Sequence, residues 1–233
     1  MKLFYKYKYI IFDLDDTLFD YQATEIESLK QTCKDFGIPF KEQVSYYNYK
    51  VANNIAKKSI NALNSPSDFK LFRNQRAKLF LENDNNKTVN VEDFVALQLK
   101  HSERGILIDG VYETIKEIHN FVKVIVGTNG STHPRLNKIR NSKISSFINH
   151  FYSSEMLGLQ KPNPEFYLKI IDNMSIDNIS EVLVVGNDFN KDIVGAINAK
   201  IDCCHFPFNE PMNLNENVFT IESFSDLLNI IKP

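Results

Sequence analysis

Tyr9-Ile10-Ile11-Phe12-Asp13-Leu14-Asp15-Asp16-Thr17 passes from four apolar residues into a cluster of acids and a hydroxyl. A short, nearly continuous apolar run suits a parallel strand buried on both faces, because a strand with one wet face would alternate. Two further runs are of the same kind: Val122 to Val126, interrupted only by Lys123, and Val182 to Val185. Helical patterns lie between and after them, at Asp109 to Phe121, Pro164 to Asn173 and Phe189 to Ala199. The alternation predicts an α/β fold, a Rossmann-like three-layer core with a parallel sheet and covering helices.

The stretch from Tyr21 to Glu103 is different, rich in Lys, Glu, Gln, Asn and Phe and without a buried-strand run. It reads as about four amphipathic helices, with breaks at Gly37-Ile38-Pro39, Asn64-Ser65-Pro66-Ser67 and Asn83-Asp84-Asn85-Asn86. The expected organisation is therefore a core formed by 1–20 and 104–233, interrupted by a helical cap at 21–103. Such a cap is expected to be a mobile lid, with hinges near Thr17 to Asp20 and Arg104 to Asp109.

Composition narrows the function classes. The 233 residues suffice for one substantial core with a smaller lobe, and 43% hydrophobic with 24% charged residues is the balance of a globular chain. A net charge of -2, from 27 basic and 29 acidic residues, supplies no positive field for a nucleic acid polymer or an anionic membrane. In the opening MKLFYKYKYIIFD, Lys6 and Lys8 interrupt the apolar residues before a signal-peptide core forms, and no other stretch approaches a membrane span. Three cysteines, two of them adjacent, make no disulfide framework; a cytoplasmic setting with reduced, packed thiols is the expectation. Cys203 and Cys204 would point to opposite faces of a strand, which speaks against a shared metal site.

In open α/β sheets ligands bind beyond the carboxyl ends of the strands, and each of the three runs ends in chemically useful residues. The first is followed by Asp13 to Thr17, the second by Gly127-Thr128-Asn129-Gly130-Ser131, the third by Gly186-Asn187-Asp188. Asp13 and Asp15, two apart, leave an extended chain in similar directions. Brought together they raise each other's pKa unless a hard cation such as Mg²⁺ intervenes, and the pair can divide labour between nucleophile and proton exchange. Taken alone, Asp15-Asp16 fits a polar turn equally well. Thr128 offers a hydroxyl, and Asn129 and Gly130 offer N–H groups that can cradle a phosphate, or simply make an Asn-Gly turn. Lys161 stands before Pro162-Asn163-Pro164, where Asn163 can cap a helix and Pro164 suits its first position. Held there, its ammonium can neutralise a phosphoryl oxygen and a nucleophile; the commoner fate of a lysine is solvation.

Taken in order, D-x-D-x-T at Asp13 to Thr17, the strand ending in Thr128-Asn129-Gly130, the lone Lys161 and the acidic motif at Asn187 to Asp192 resemble the haloacid dehalogenase-like hydrolase superfamily over nearly the whole core. The helical insertion after the first motif is similar to that superfamily's type 1 cap. Thr128-Asn129-Gly130, with the stretch Ser154 to Tyr167, is similar to its nucleotidase and acylneuraminate-phosphatase branch. The resemblance implies a phosphatase acting on a small phosphorylated metabolite, a nucleotide or sugar phosphate. Asp13 would attack phosphorus, while Asp15 would protonate the leaving oxygen and later activate water. Thr128, Asn129 and Lys161 would hold the phosphoryl group, and Mg²⁺ would be bound by Asp13, the Asp15 backbone carbonyl and the acidic motif.

One departure concerns that metal. Family members usually have Gly-Asp where this chain has Gly186-Asn187. Asn187 can ligate through its amide oxygen without adding charge, and Asp188 can either supply the charge or cap the following helix. Thr17 and Asp192 are expected to support the site from behind, Asp192 by steadying Lys161. The competing readings are a phosphomutase, which usually carries Gly where Asp16 stands; a haloacid dehalogenase, which typically has Tyr where Asp15 stands; and a catalytically weak phosphate-binding or regulatory protein.

Overall fold

The computed structural model describes residues 6–60, 66–83, 86, 88–209 and 218–232. From the N-terminus, β1 (Tyr9–Phe12) and the short β2 (Phe19–Asp20) precede four helices: α1 (Tyr21–Asp35), α2 (Glu42–Ser59), α3 (Pro66–Asn83) and α4 (Val91–Ser102). Next come β3 (Ile106–Leu107), α5 (Val111–Ile118), β4 (Lys123–Thr128), α6 (Thr132–Arg140), β5 (His150–Ser153) and α7 (Ser154–Leu157). The chain continues through α8 (Glu165–Asn173), β6 (Val182–Gly186), α9 (Val194–Asn198), β7 (Asp202–His205), β8 (Phe219–Thr220) and α10 (Leu227–Ile231). It divides into two compact units, Met1–Tyr21 with Gly105–Pro233, and Gln22–Arg104.

In the first unit six strands form one parallel sheet in the order β5-β4-β1-β6-β7-β8. The three apolar runs are its adjacent central strands, and Lys123 sits exposed at the start of β4, where it costs the core nothing. Alternate residues of each strand feed opposite layers. Ile10, Phe12, Val124, Val126, Leu183 and Val185 pack with Val111, Ile115 and Ile118 of α5 and with Leu227 and Ile231 of α10. Ile11, Ile125 and Val184 pack on the other side with Phe166, Tyr167 and Ile170 of α8 and with Ile193 and Ala196. Both faces are thus covered, giving the three-layer Rossmann-like α/β core. Truncating a fully buried Ile such as Ile11 to Ala would cost about 2–5 kcal/mol. Cys204 enters the first layer and Cys203 the second, and burial pushes both thiols up, that of Cys203 to about 11. All three cysteines are free.

Two local departures from the sequence reading have physical reasons. Asp109 is followed by Gly110 in the left-handed region (φ 82°), so the helix begins only at Val111. The expected helix over Phe189 to Ala199 opens instead with a π-helical turn, Phe189–Ile193, before α9. Inside that turn Asp192 is buried against Lys161, in keeping with the habit of π-turns to sit at functional positions.

The second unit consists of α1 to α4. α1 ends at Gly37 (φ 69°), with the Ile38 N–H bonded to the Cys33 carbonyl at 2.8 Å, a left-handed glycine stop at the expected break. Asn90 caps α4 by accepting from the Glu92 and Asp93 N–H groups. The expected breaks at 64–67 and 83–86 include residues 64, 65, 84 and 85, which lie outside the described residues, as does the N-terminal segment 1–5. The unit's core contains Leu29, Cys33, Tyr49, Ala77, Phe80 and Phe94. No helix of the described residues is long and apolar enough to cross a membrane.

Candidate active site

Parallel register brings the polar strand ends together. Phe12 stands level with Val126 of β4 and Val185 of β6, and the Asp13 N–H extends the ladder to the Val185 carbonyl at 2.9 Å. Asp13, Thr128 and Gly186 therefore leave the sheet at the same edge.

Lys161 arrives from the loop before α8 and is 4% exposed. Its Nζ donates to Asp13 Oδ1 at 2.5 Å and to Asp192 Oδ1 at 2.6 Å. Asn129 positions that loop by a reciprocal amide pair, with Nδ2 donating to the Lys161 carbonyl at 3.0 Å and Oδ1 accepting the Lys161 N–H at 2.9 Å. Asn163 Oδ1 accepts the Glu165 N–H at 3.0 Å, as expected of a residue opening α8. Asp192 Oδ2 accepts the Asp188 N–H at 3.1 Å, so both oxygens of this 2%-exposed carboxylate are used. Gly186 makes the packing possible: a Cβ there would lie 2.4 Å from the Asp192 side chain.

Burial, only partly offset by Lys161 and reinforced by Asp192, leaves the Asp13 carboxyl raised to about 7. For Lys161 burial works against the charge, but the two carboxylates outweigh it and the ammonium is held above its ordinary value. Asp15 is in a different environment. Burial disfavours its charge, yet Lys138 Nζ at 2.6 Å and Arg135 Nη2 at 3.7 Å dominate and hold the carboxyl below the usual range. Two carboxylates two residues apart thus differ in protonation preference, Asp13 leaning to the neutral acid and Asp15 to the carboxylate. That is the reverse of what a nucleophile and a proton donor need, so a cation at Asp13 would have to restore its charge.

The remaining expected residues form two local clusters. Thr17, fully buried, accepts the Asn187 N–H at 3.1 Å and donates to Asn187 Oδ1 at 3.3 Å. Asp188 turns to its own helix: Oδ1 accepts the Lys191 N–H at 2.9 Å and Oδ2 pairs with Lys191 Nζ. Burial opposes the Asp188 charge, and the Lys191 hydrogen bonds more than compensate, lowering its pKa. Thr128 closes β4, 2% exposed. The Gly130 N–H is occupied by Ser154 Oγ at 2.7 Å.

Arg135 and Lys138 were not singled out in the sequence, although they are three apart on the helix that follows the Thr128 loop. His205 was also missed. It ends β7 level with Gly186, and its Nε2 lies 2.9 Å from the Asn187 carbonyl. Its position at the end of a buried strand is the signal that could have found it. His133 is exposed on α6.

Among the described residues no three His, Cys, Asp or Glu side chains converge as a metal cage. The oxygens that the sequence resemblance assigns to a cation, on Asp13, the Asp15 backbone and Asn187, are hard donors of the kind Mg²⁺ takes, and Asn187 Oδ1 also accepts the Thr17 hydroxyl at 3.3 Å. The local charges point the same way. Asp13, Asp15 and Asp192 face Lys161, Lys138 and Arg135, so an incoming phosphate dianion adds negative charge that a divalent cation would offset.

Comparison with known proteins agrees with this layout. The pyrimidine 5'-nucleotidase PynA of Streptococcus pneumoniae is 27% identical, over 97% of this chain and 95% of that protein. The pyrimidine 5'-nucleotidase YjjG of Escherichia coli is 22% identical over 85% of each. Among solved structures, YfnB of Bacillus subtilis, crystallised bound to magnesium, superposes with a TM-score of 0.77 at 23% identity, covering 97% of this chain and 98% of that one. A model of the haloacid dehalogenase-like hydrolase family matches residues 7–200. With its parallel core and with Asp13, Thr128, Lys161 and Asp192 in the family's order, the chain belongs to the haloacid dehalogenase-like hydrolases.

Proposed function

We propose that this hydrolase is a phosphatase of small phosphorylated metabolites, with pyrimidine nucleoside monophosphates the first substrates to try, working through an aspartyl-phosphate on Asp13. The observation that carries the reading is the buried Lys161 ammonium, 2.5 Å from Asp13 and backed by Asp192 and Asn129. It keeps an acceptor carboxylate and a phosphoryl oxygen from repelling each other, and phosphoryl transfer asks mainly for such positioning and charge balance.

In the first step an Asp13 oxygen bonds to phosphorus as the ester oxygen departs, and Asp15, which must first take up a proton against the pull of Lys138 and Arg135, gives that oxygen its proton. In the second, Asp15 takes a proton from water, whose oxygen bonds to phosphorus as the Asp13 bond breaks, returning the carboxylate and releasing phosphate. Thr128 and Lys161 hold the phosphoryl oxygens throughout, with the turn at Asn129 beside them. Asp13, the Asp15 carbonyl and Asn187 are the residues proposed to hold Mg²⁺, with Thr17 and His205 fixing the Asn187 segment. When bound, the ion would neutralise charge on the transferring group. Asp188 is proposed as a helix cap, given its bonds to Lys191. The division into a hydrolase core of 1–20 and 104–233 and a cap of 21–103 belongs to the same proposal. So does a cytoplasmic location, which the three free, buried cysteines support.

The test is phosphate release from a panel of nucleotides, sugar phosphates and an aryl phosphate, with and without Mg²⁺. Metal-dependent release from pyrimidine nucleotides is expected. Phosphate binding without turnover on any member would refute the phosphatase.

A further inference from the structure

Sequence alone leaves Arg73 and Arg76 open to contact with a substrate anion, with a solvated helix face at least as good an explanation, but the helical unit buries Arg76 and half-buries Arg73. They lie three apart on α3 and therefore on one side of it. Arg76 is 9% exposed, with its guanidinium 4.6 Å from the Tyr49 ring centroid and 5.3 Å from that of Phe72, and Nη1 donating to Asn53 Oδ1 at 3.2 Å. Glu25 Oε1 stands 3.6 Å from Arg76, while Glu25 Oε2 accepts the Tyr46 hydroxyl at 3.1 Å. One carboxylate therefore answers two guanidinium groups. Arg73, half-buried beside Arg76, pairs with no carboxylate among the described residues. The Nε atoms of both arginines are buried without a hydrogen-bond partner.

An unpaired N–H on a buried cation forfeits the solvation it had in water, and two adjacent cations add repulsion. Burial, and then Arg76, hold the Arg73 guanidinium below its ordinary pKa. Such an arrangement is expensive if permanent and sensible if completed by a ligand. The planar guanidinium matches the oxygens of phosphate or carboxylate in a way lysine does not.

We propose that the helical unit carries an oxyanion-binding site at Arg73, with Arg76 and Asn53 as its buried wall, taking a phosphate or carboxylate group. The anion supplies the negative charge that Glu25 leaves wanting, and Arg73, the partly exposed member, receives it. The site is built from residues of the helical unit alone and does not depend on the phosphatase reading. Its ligand is a free oxyanion, for which inorganic phosphate is the probe.

The test uses the full chain and inorganic phosphate as probe. Arginine Nε–H signals are followed by NMR during a phosphate titration, with chloride at equal ionic strength as control. A saturable phosphate-specific shift of the Arg73 and Arg76 signals is expected, with the Arg76 shift lost in Arg73→Met and weakened in Arg73→Lys. The absence of a saturable phosphate shift, a shift that chloride reproduces, or one that survives in Arg73→Met would overturn the site.

Discussion

Replacing Lys161 by Met removes the ammonium lodged between Asp13 and Asp192 while keeping most of the side-chain volume. Both carboxylates then lose their buried cation, and breaking a buried ion pair from one side costs about 3–5 kcal/mol. For a chain of this size each kcal/mol is worth about 2–4 °C, so Tm should fall by about 6–20 °C near neutral pH. The loss should depend on pH in a defined direction. With Lys161 present, burial already raises Asp13 to about 7, and without it the carboxyl climbs further. A group whose folded pKa exceeds its unfolded value contributes stability that is full below the unfolded pKa and is lost as pH rises through the folded one. The variant should therefore be closest to the parent near pH 4 and fall away from it towards pH 7.5. Thermal melts of both proteins across that range, without divalent ions, measure the difference, and adding Asp192→Asn to the variant should recover part of it. A drop below about 2 °C at pH 7.5 would be under about 1 kcal/mol and would refute the buried-pair argument, as would a deficit that does not change with pH.

Asp13→Asn should lower phosphate release by about 10³-fold or more while circular dichroism remains that of the parent, because the nucleophile goes and the volume stays; near-normal turnover would exclude the aspartyl-phosphate. Lys138→Met, which removes the 2.6 Å partner that holds the Asp15 carboxyl low, should move the pH profile of kcat towards higher pH with little change in KM. Lys138→Arg should move it less than Met, and a profile unmoved in both would argue against charge pairing. Asp188→Ala should cost about 1 kcal/mol of stability through the lost cap and leave the Mg²⁺ concentration needed for activity unchanged; a sharply raised requirement would make Asp188 a metal contact instead.

The central sheet was legible because Tyr9 to Phe12, Val122 to Val126 and Val182 to Val185 are buried on both faces, and burial on both faces leaves a continuous apolar run in the sequence. The chemistry at their ends was legible for the same reason, since register is what aligns Asp13 with Gly186. Partners were harder to read. Lys161 and Asp13 are 148 positions apart, and their contact was expected from the order of the motifs rather than from anything local. Asn129 was expected to offer its backbone to phosphate, whereas its side chain is spent on holding Lys161 in place. Arg135 and Lys138 depend on which way α6 rotates, and the π-helical turn that carries Asp192 has no signature in the residue pattern. His205 lies at the end of β7, a strand identified in sequence only as a mixed stretch.

The β2–β3 ribbon has a further consequence. Phe19 pairs with Leu107 and Asp20 with Ile106, so the chain leaves and re-enters the first unit through points one ladder width apart, about 5 Å. To the sheet, the whole stretch Gln22–Arg104 is a closed loop whose ends are already joined. Closure entropy grows only logarithmically, about 0.6 kcal/mol per doubling of length, so the parallel core is nearly indifferent to how much chain is spliced there. A few glycines and serines joining Tyr21 to Gly105 would span the gap without stretching it. The first unit should then fold as a separate, capless protein, and other inserts should be graftable at the same seam.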